Sequence, residues 1–251
     1  MTAGTSASPT ATMTRPALAD LGHPRLRGQL HAYASVVAVV CGVVLTSVAA
    51  GRPGTAPLIS TAVYSVTVCA LFAVSALFHR NAWSERGYQI MRQLDHAMIF
   101  VFIAGTYTPI CVLLLSPGKA TLLLTIVWAG ATAGVVTSVA RPHAPRWVNA
   151  ALYLGLGWTA LAVLPEILHS GGATALIMLA AGGLTYSAGA VLYTLRKPNP
   201  WPRTFGHHEF FHACTLVAAT CHHIMIYLAS SLRQQAARAL RVRVTTRPRL
   251  S

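Results

Sequence analysis

Long apolar runs separated by short polar breaks occupy the chain from residue 31 to residue 231. Seven of these runs come near the ~20 residues that a helix needs to cross a bilayer. They cover 31–51, 57–79, 95–115, 119–140, 147–168, 172–195 and 208–231. The breaks carry helix-ending residues: Arg52-Pro53-Gly54, the segment from Arg80 to Arg92, Ser116-Pro117-Gly118, Arg141-Pro142, Ser170-Gly171-Gly172, and Arg196 to Arg203 with its three prolines. Proline removes an amide donor and glycine loosens the backbone, so each break predicts a turn, and turns this short make neighbouring helices antiparallel. Small residues inside the runs, as in Ala129-Gly130-Ala131 and Gly182-Gly183, allow close helix contact where lipid offers no hydrophobic drive to associate. The pattern predicts an all-α integral membrane protein, a seven-transmembrane-helix bundle over residues 30–232. Residues 1–29, rich in Ser, Thr, Ala and Pro, read as a disordered N-terminal tail with no cleaved leader. Residues 233–251 read as a basic C-terminal tail with a turn or two of interfacial helix.

Composition narrows the function classes. Of 251 residues, 54% are hydrophobic and 10% charged, with a mean hydropathy of +0.55, which excludes a soluble enzyme and a disordered protein. The formal charge of +14 raises nucleic acid as a partner. The basic residues lie between apolar runs instead of along one face, however, so no nucleic-acid partner is expected and the lipid bilayer is. Cys41, Cys69, Cys111, Cys214 and Cys221 all fall inside apolar runs without a C-x-x-C pair, which implies neither a disulfide framework nor a thiolate metal site. The charges report topology. The N-terminal tail and the second-to-third, fourth-to-fifth and sixth-to-seventh loops hold eleven Lys and Arg against two in the opposite loops. This bias places the N-terminus in the cytoplasm of a multi-pass cell-membrane protein. The six arginines of the C-terminal tail then fall outside, against the simple rule; the bias spread over four segments outweighs one tail.

Ionisable groups inside spans cost roughly 2.5 to 3.5 kcal/mol at a helix centre on insertion scales, so each calls for a reason. Here they gather at one depth. Ser75 and His79 end the second span, Asp95 opens the third, and His208 and His212 open the seventh; antiparallel topology puts all five near the cytoplasmic face. His208 and His212 are four residues apart and share one helix face. Three neutral imidazoles and a carboxylate around one centre suit Zn2+, which leaves a fourth place for water when catalytic. Asp95 either binds directly or, preferably, takes the proton of the metal's water, whose pKa falls to roughly 7. Ser75 would hydrogen-bond Asp95 or a substrate carbonyl. His208-Glu209-x-x-His212 also reads as H-E-x-x-H, in which Glu209 would be the base, although Glu209 points about 100° away from His208.

The remaining polar residues have plainer readings. His96 and His207 snorkel at the interface. His222 and His223 lie about 15 Å deeper than His212, too far to share its metal, and either bond another helix or line a cavity. Glu166 is a solvated helix end, and Trp147, Trp158 and Trp201 serve packing or the aromatic belt.

Ser75-Ala76-Leu77-Phe78-His79, the run from Leu94-Asp95-His96 through Gly105-Thr106-Tyr107-Thr108-Pro109, and Phe205-Gly206-His207-His208-Glu209-Phe210-Phe211-His212 resemble the hemolysin III family, the bacterial branch of the progestin and adipoQ receptor family. The resemblance spans roughly residues 25 to 232. It implies zinc near the cytoplasmic face on His79, His208 and His212, with Asp95 holding the zinc's water and Ser75 matching the family serine. It also implies kinship with alkaline ceramidases, metal-dependent amide hydrolases of lipids. The leading expectation is a zinc-dependent hydrolase of a membrane-lipid amide or ester, or a sensor of such lipids. The alternatives are a zinc-stapled regulator of membrane properties without turnover, and a permeation or cytolytic protein.

Overall fold

A computed structural model of the chain describes residues 26–141, 144–201 and 203–245, with side chains up to residue 231. The expected disordered tail therefore falls almost wholly outside the described residues. The chain is helical: α1 (Gln29–Ala50), α2 (Ala56–Arg80), α3 (Glu85–Leu114), α4 (Pro117–Ala140), α5 (Arg146–Gly157), a 3-10 segment (Trp158–Val163), α6 (Leu164–Leu195) and α7 (His207–Thr245). The only bridge among the described residues pairs Trp201 with Phe205.

Local chemistry sets several helix starts. Ser84 caps α3 by accepting from the Gly87 amide at 3.2 Å, and Glu85 sits in that first turn, where a carboxylate complements the helix dipole. Helices α2, α4 and α6 carry proline in their first turn, where its missing N–H has no partner to lose. The cap at Ser84 starts α3 well before the boundary at 95 that hydropathy predicts, because a helix continues past the apolar layer wherever its ends are satisfied. Helix α7 likewise continues to Thr245, so much of the predicted C-terminal tail is helical beyond a turn or two.

Many large aliphatic side chains face outward. On α1, Val36, Val37, Val40, Val43 and Val44 are exposed, while Ala34, Ala38, Gly42, Leu45 and Ala49 are buried against the bundle. That arrangement matches lipid outside and small residues at helix contacts. The core is built from Tyr64, Phe72, Phe100, Phe102, Tyr107, Ile167 and Met225. Among the described residues, six helical runs are long and apolar enough to cross a membrane, with Arg146–Leu195 counted as one run of 50 residues.

That long run departs from the two uninterrupted helices expected at 147–168 and 172–195. It loosens into the 3-10 segment at Trp158–Val163, where the Tyr107 hydroxyl donates to the Gly157 carbonyl and accepts from the Ala160 amide at 2.8 Å. It then breaks at Gly172, within the expected interruption Ser170-Gly171-Gly172; its φ of 74° and ψ of 179° are non-helical, a backbone region open mainly to glycine. The chain reverses direction across this stretch. Arg146 lies over the Tyr193 ring and Tyr193 packs on His208, whereas Glu166, between them in sequence, reaches Ser116 and Lys119 at the far end of the bundle. Glu166 is therefore a tie between α6 and the start of α4, accepting from the Ser116 amide at 2.6 Å and pairing with Lys119 at 3.0 Å, and not merely a solvated helix end.

Candidate metal centre

His79 sits in the last turn of α2, Asp95 about three turns into α3, and His208 and His212 in the first turns of α7. The fold brings them together. The Nε2 atoms of His79 and His208 are 3.1 Å apart, and one ring nitrogen from each of His79, His208 and His212 falls within 4.8 Å of the other two. Tetrahedral zinc with nitrogens at 2.0–2.1 Å spaces its ligands by about 3.3–3.4 Å, so this donor set fits one divalent ion with sub-ångström to ångström adjustment. Asp95 Oδ2 stands 3.9 Å from His79 Nε2. Buried Ser75, one turn before His79, interacts with the Asp95 carboxyl.

Glu209 ties down the start of α7. Glu209 Oε2 accepts from the Gly206 amide at 2.8 Å and Glu209 Oε1 accepts from Arg27 Nε at 3.0 Å. Glu209 is 1% exposed and both of its oxygens are engaged, so it joins the entry of α1 to the first turn of α7 instead of facing the imidazoles as a base. One turn beyond Arg27, His31 stacks on His212 with ring centroids 3.9 Å apart and planes 12° from parallel. Sequence reasoning missed His31 and Arg27. His31 opens the first run on the same side as the other histidines, and extending the depth argument to every histidine at a span end would have found it. The Tyr193 ring meets His208 edge-on at 5.7 Å, a contact with no sequence signal.

These groups line one end of a cavity of about 1340 Å³. The cavity passes Phe102, Thr106 and Tyr107 and reaches Tyr186 and His222. His222 also contacts the Leu179 carbonyl of α6 at 3.4 Å, so both of its expected roles meet in one residue. His223 packs against Tyr64 at 5.8 Å. His96 is half-buried, lines the cavity and bonds the Arg92 carbonyl at 2.7 Å, so it does not simply snorkel. Trp158 donates to Ser187 at 3.0 Å, whereas Trp147 and Trp201 are exposed.

Helices with apolar outer faces around an internal cavity, and a histidine cluster at one end of it, define a multi-pass helical membrane protein with a potential metal site. Residues 20–223 match the family described as haemolysin-III related, and the chain belongs to that family. It is 30% identical over 162 residues to a hemolysin-3 homolog of Bacillus subtilis, covering 63% of this chain and 71% of that one. Identity to hemolysin-3 of Bacillus cereus is 26% over 170 residues, 66% and 76% of the two chains. Identity to the heptahelical transmembrane protein ADIPOR2 of Oryza sativa subsp. japonica is 31% over 195 residues, 70% and 84%.

Proposed function

We propose that this protein is a zinc-dependent hydrolase of an amide or ester bond in a membrane lipid. It crosses the membrane seven times, with its N-terminus and metal centre toward the cytoplasm. The observation that carries this reading is the convergence of three histidines from two helices, with Asp95 beside them, at the end of a large internal cavity. The reversal near Gly172 supports counting Arg146–Leu195 as two crossings, and the basic loops on the histidine side support the orientation.

His79, His208 and His212 would hold the ion through neutral ring nitrogens. Zinc bound there supplies Lewis acidity, which polarises a carbonyl and acidifies water. Asp95 takes the proton of the attacking water and returns it to the departing nitrogen or oxygen, and Ser75 orients the Asp95 carboxyl. The apolar walls accept the acyl chain and keep bulk water from the reacting bond. At about 1340 Å³ the cavity exceeds the roughly 300–1,000 Å³ of ordinary small-molecule pockets, room that an acyl chain would use.

A non-catalytic reading draws on a specific feature: contacts at the histidine cluster join α1, α2, α3 and α7, so a metal there would also staple the bundle. The relatives named hemolysin-3 keep a cytolytic reading in view. Metal analysis and lipid hydrolysis separate these. The purified chain is expected to hold one zinc, His208→Ala with His212→Ala to lose it, and Asp95→Asn to keep zinc while losing turnover of N-acyl amides and acyl esters in mixed micelles. Zinc content unaffected by the histidine changes would refute the centre, and turnover surviving Asp95→Asn would refute the chemistry.

A further inference from the structure

The histidine end of the cavity is lined by several guanidinium groups that lie outside the histidine cluster. Arg27, Arg80, Arg92, Arg141 and Arg146 line it, while Asp95 is the one carboxylate among the lining residues. Arg27 is committed to Glu209. Three of the others come from different helix ends that the fold draws together. Arg92 is on α3, Arg141 follows α4 and Arg146 begins α5. Gln93 donates to the Val139 carbonyl at 3.3 Å, closing α3 on α4. The Tyr153 hydroxyl donates to the His96 carbonyl at 3.1 Å, closing α5 on α3. On α5, Arg146, Asn149 and Tyr153 fall at helical spacing on one face, and all three line the cavity. Arg146 sits 5.2 Å over the Tyr193 ring.

A second observation marks the same wall as built for a polar guest. Ser138, 5% exposed, and Asn149 both line it, and Ser138 Oγ and Asn149 Oδ1 are buried without a hydrogen-bond partner. Unsatisfied buried polar atoms are costly in a native fold. Loop charge that serves topology alone has no reason to coincide with such atoms. Lys197 and Arg203 share the same end of the bundle and line no part of the cavity.

We propose that the wall formed by Arg92, Ser138, Arg141 and Arg146 binds the phosphate of an anionic membrane lipid whose acyl chains enter the cavity. Arginine forks match phosphate oxygens in paired hydrogen bonds, and the Ser138 hydroxyl supplies a further donor. The inference rests on the reading that the cavity takes a lipid and names the headgroup class of that lipid; it does not require turnover.

The test uses the full chain in neutral detergent, titrated with dioleoyl phosphatidic acid or with dioleoylglycerol, which has the same chains without the phosphate. Native mass spectrometry reads the stoichiometry. One phosphatidic acid per chain is expected, bound more tightly than dioleoylglycerol. Arg141→Gln with Arg146→Gln should weaken it by about tenfold or more, since each guanidinium makes charge-assisted hydrogen bonds. Lys197→Gln with Arg203→Gln removes equal charge and should leave binding unchanged. Equal loss in both pairs, or no preference over dioleoylglycerol, overturns the site. Competition by millimolar inorganic phosphate as strong as that by the lipid assigns the wall to free phosphate and overturns the lipid assignment. Zinc content is measured on the same preparation, so lipid bound at this wall by protein that carries no zinc refutes the metal reading and leaves this one standing.

Discussion

Gly105 of α3 faces Thr67 of α2, and enlarging it tests whether this contact sets the spacing of two helices that carry His79 and Asp95. A Cβ at Gly105 would stand 2.1 Å from Thr67 Oγ1, 2.8 Å from Thr67 Cβ and 2.9 Å from Thr67 Cγ2. Rotating the hydroxyl away would break its 2.9 Å bond to the Tyr64 carbonyl, and a β-branched side chain on a helix has few other rotamers. The Cβ contact cannot rotate away at all. Restoring ordinary contact moves the helices apart by roughly half an ångström, and overpacking of this kind costs about 1–3 kcal/mol. A lost hydrogen bond adds about 1 kcal/mol, and the better helix propensity of alanine returns about 1 kcal/mol. Gly105→Ala is therefore expected to destabilise by about 1–3 kcal/mol. Gly118→Ala is the control: its Cβ would meet nothing within 4 Å, so it should be neutral or slightly stabilising. Unfolding of the purified protein in detergent gives both values. In a Thr67→Ala background, which removes Oγ1 and Cγ2, the cost of Gly105→Ala should fall by at least about 0.5 kcal/mol, the coupling expected of residues in contact. Gly105→Ala as stable as Gly118→Ala, or free of coupling to Thr67, would refute the close approach.

Two further changes probe the supports of the centre and of the irregular segment. Arg27→Ala strands the Glu209 carboxylate in the interior and should cost about 3 kcal/mol, the lower end for a buried pair because Arg27 keeps some solvent; adding Glu209→Gln should recover much of it in the same unfolding assay. Tyr107→Phe removes the hydroxyl that bonds the Gly157 carbonyl and the Ala160 amide. The expected loss is about 1–3 kcal/mol, with faster hydrogen exchange confined to residues 158–163. Unchanged exchange there would show that the hydroxyl does not hold the segment.

Much of the architecture was legible along the chain because the bilayer imposes a length and a hydropathy on any helix that crosses it. Several helix starts need only local chemistry, such as Ser84 capping α3 or Pro117 in the first turn of α4. The pairing of His208 with His212 is likewise local, since a four-residue interval fixes one helix face. Depth alone was enough to put Ser75, His79 and Asp95 in the same layer. Depth does not fix azimuth, however: a residue at the right height can face lipid, a neighbour or the interior, and only packing decides which. The tertiary structure turned His79 to within 3.1 Å of His208, occupied both oxygens of Glu209, and laid His31 on His212. It also brought Arg92, Arg141 and Arg146 to the lining of one cavity. These contacts join residues far apart in sequence, and their geometry depends on how close two helices can come, which small residues such as Gly105 set.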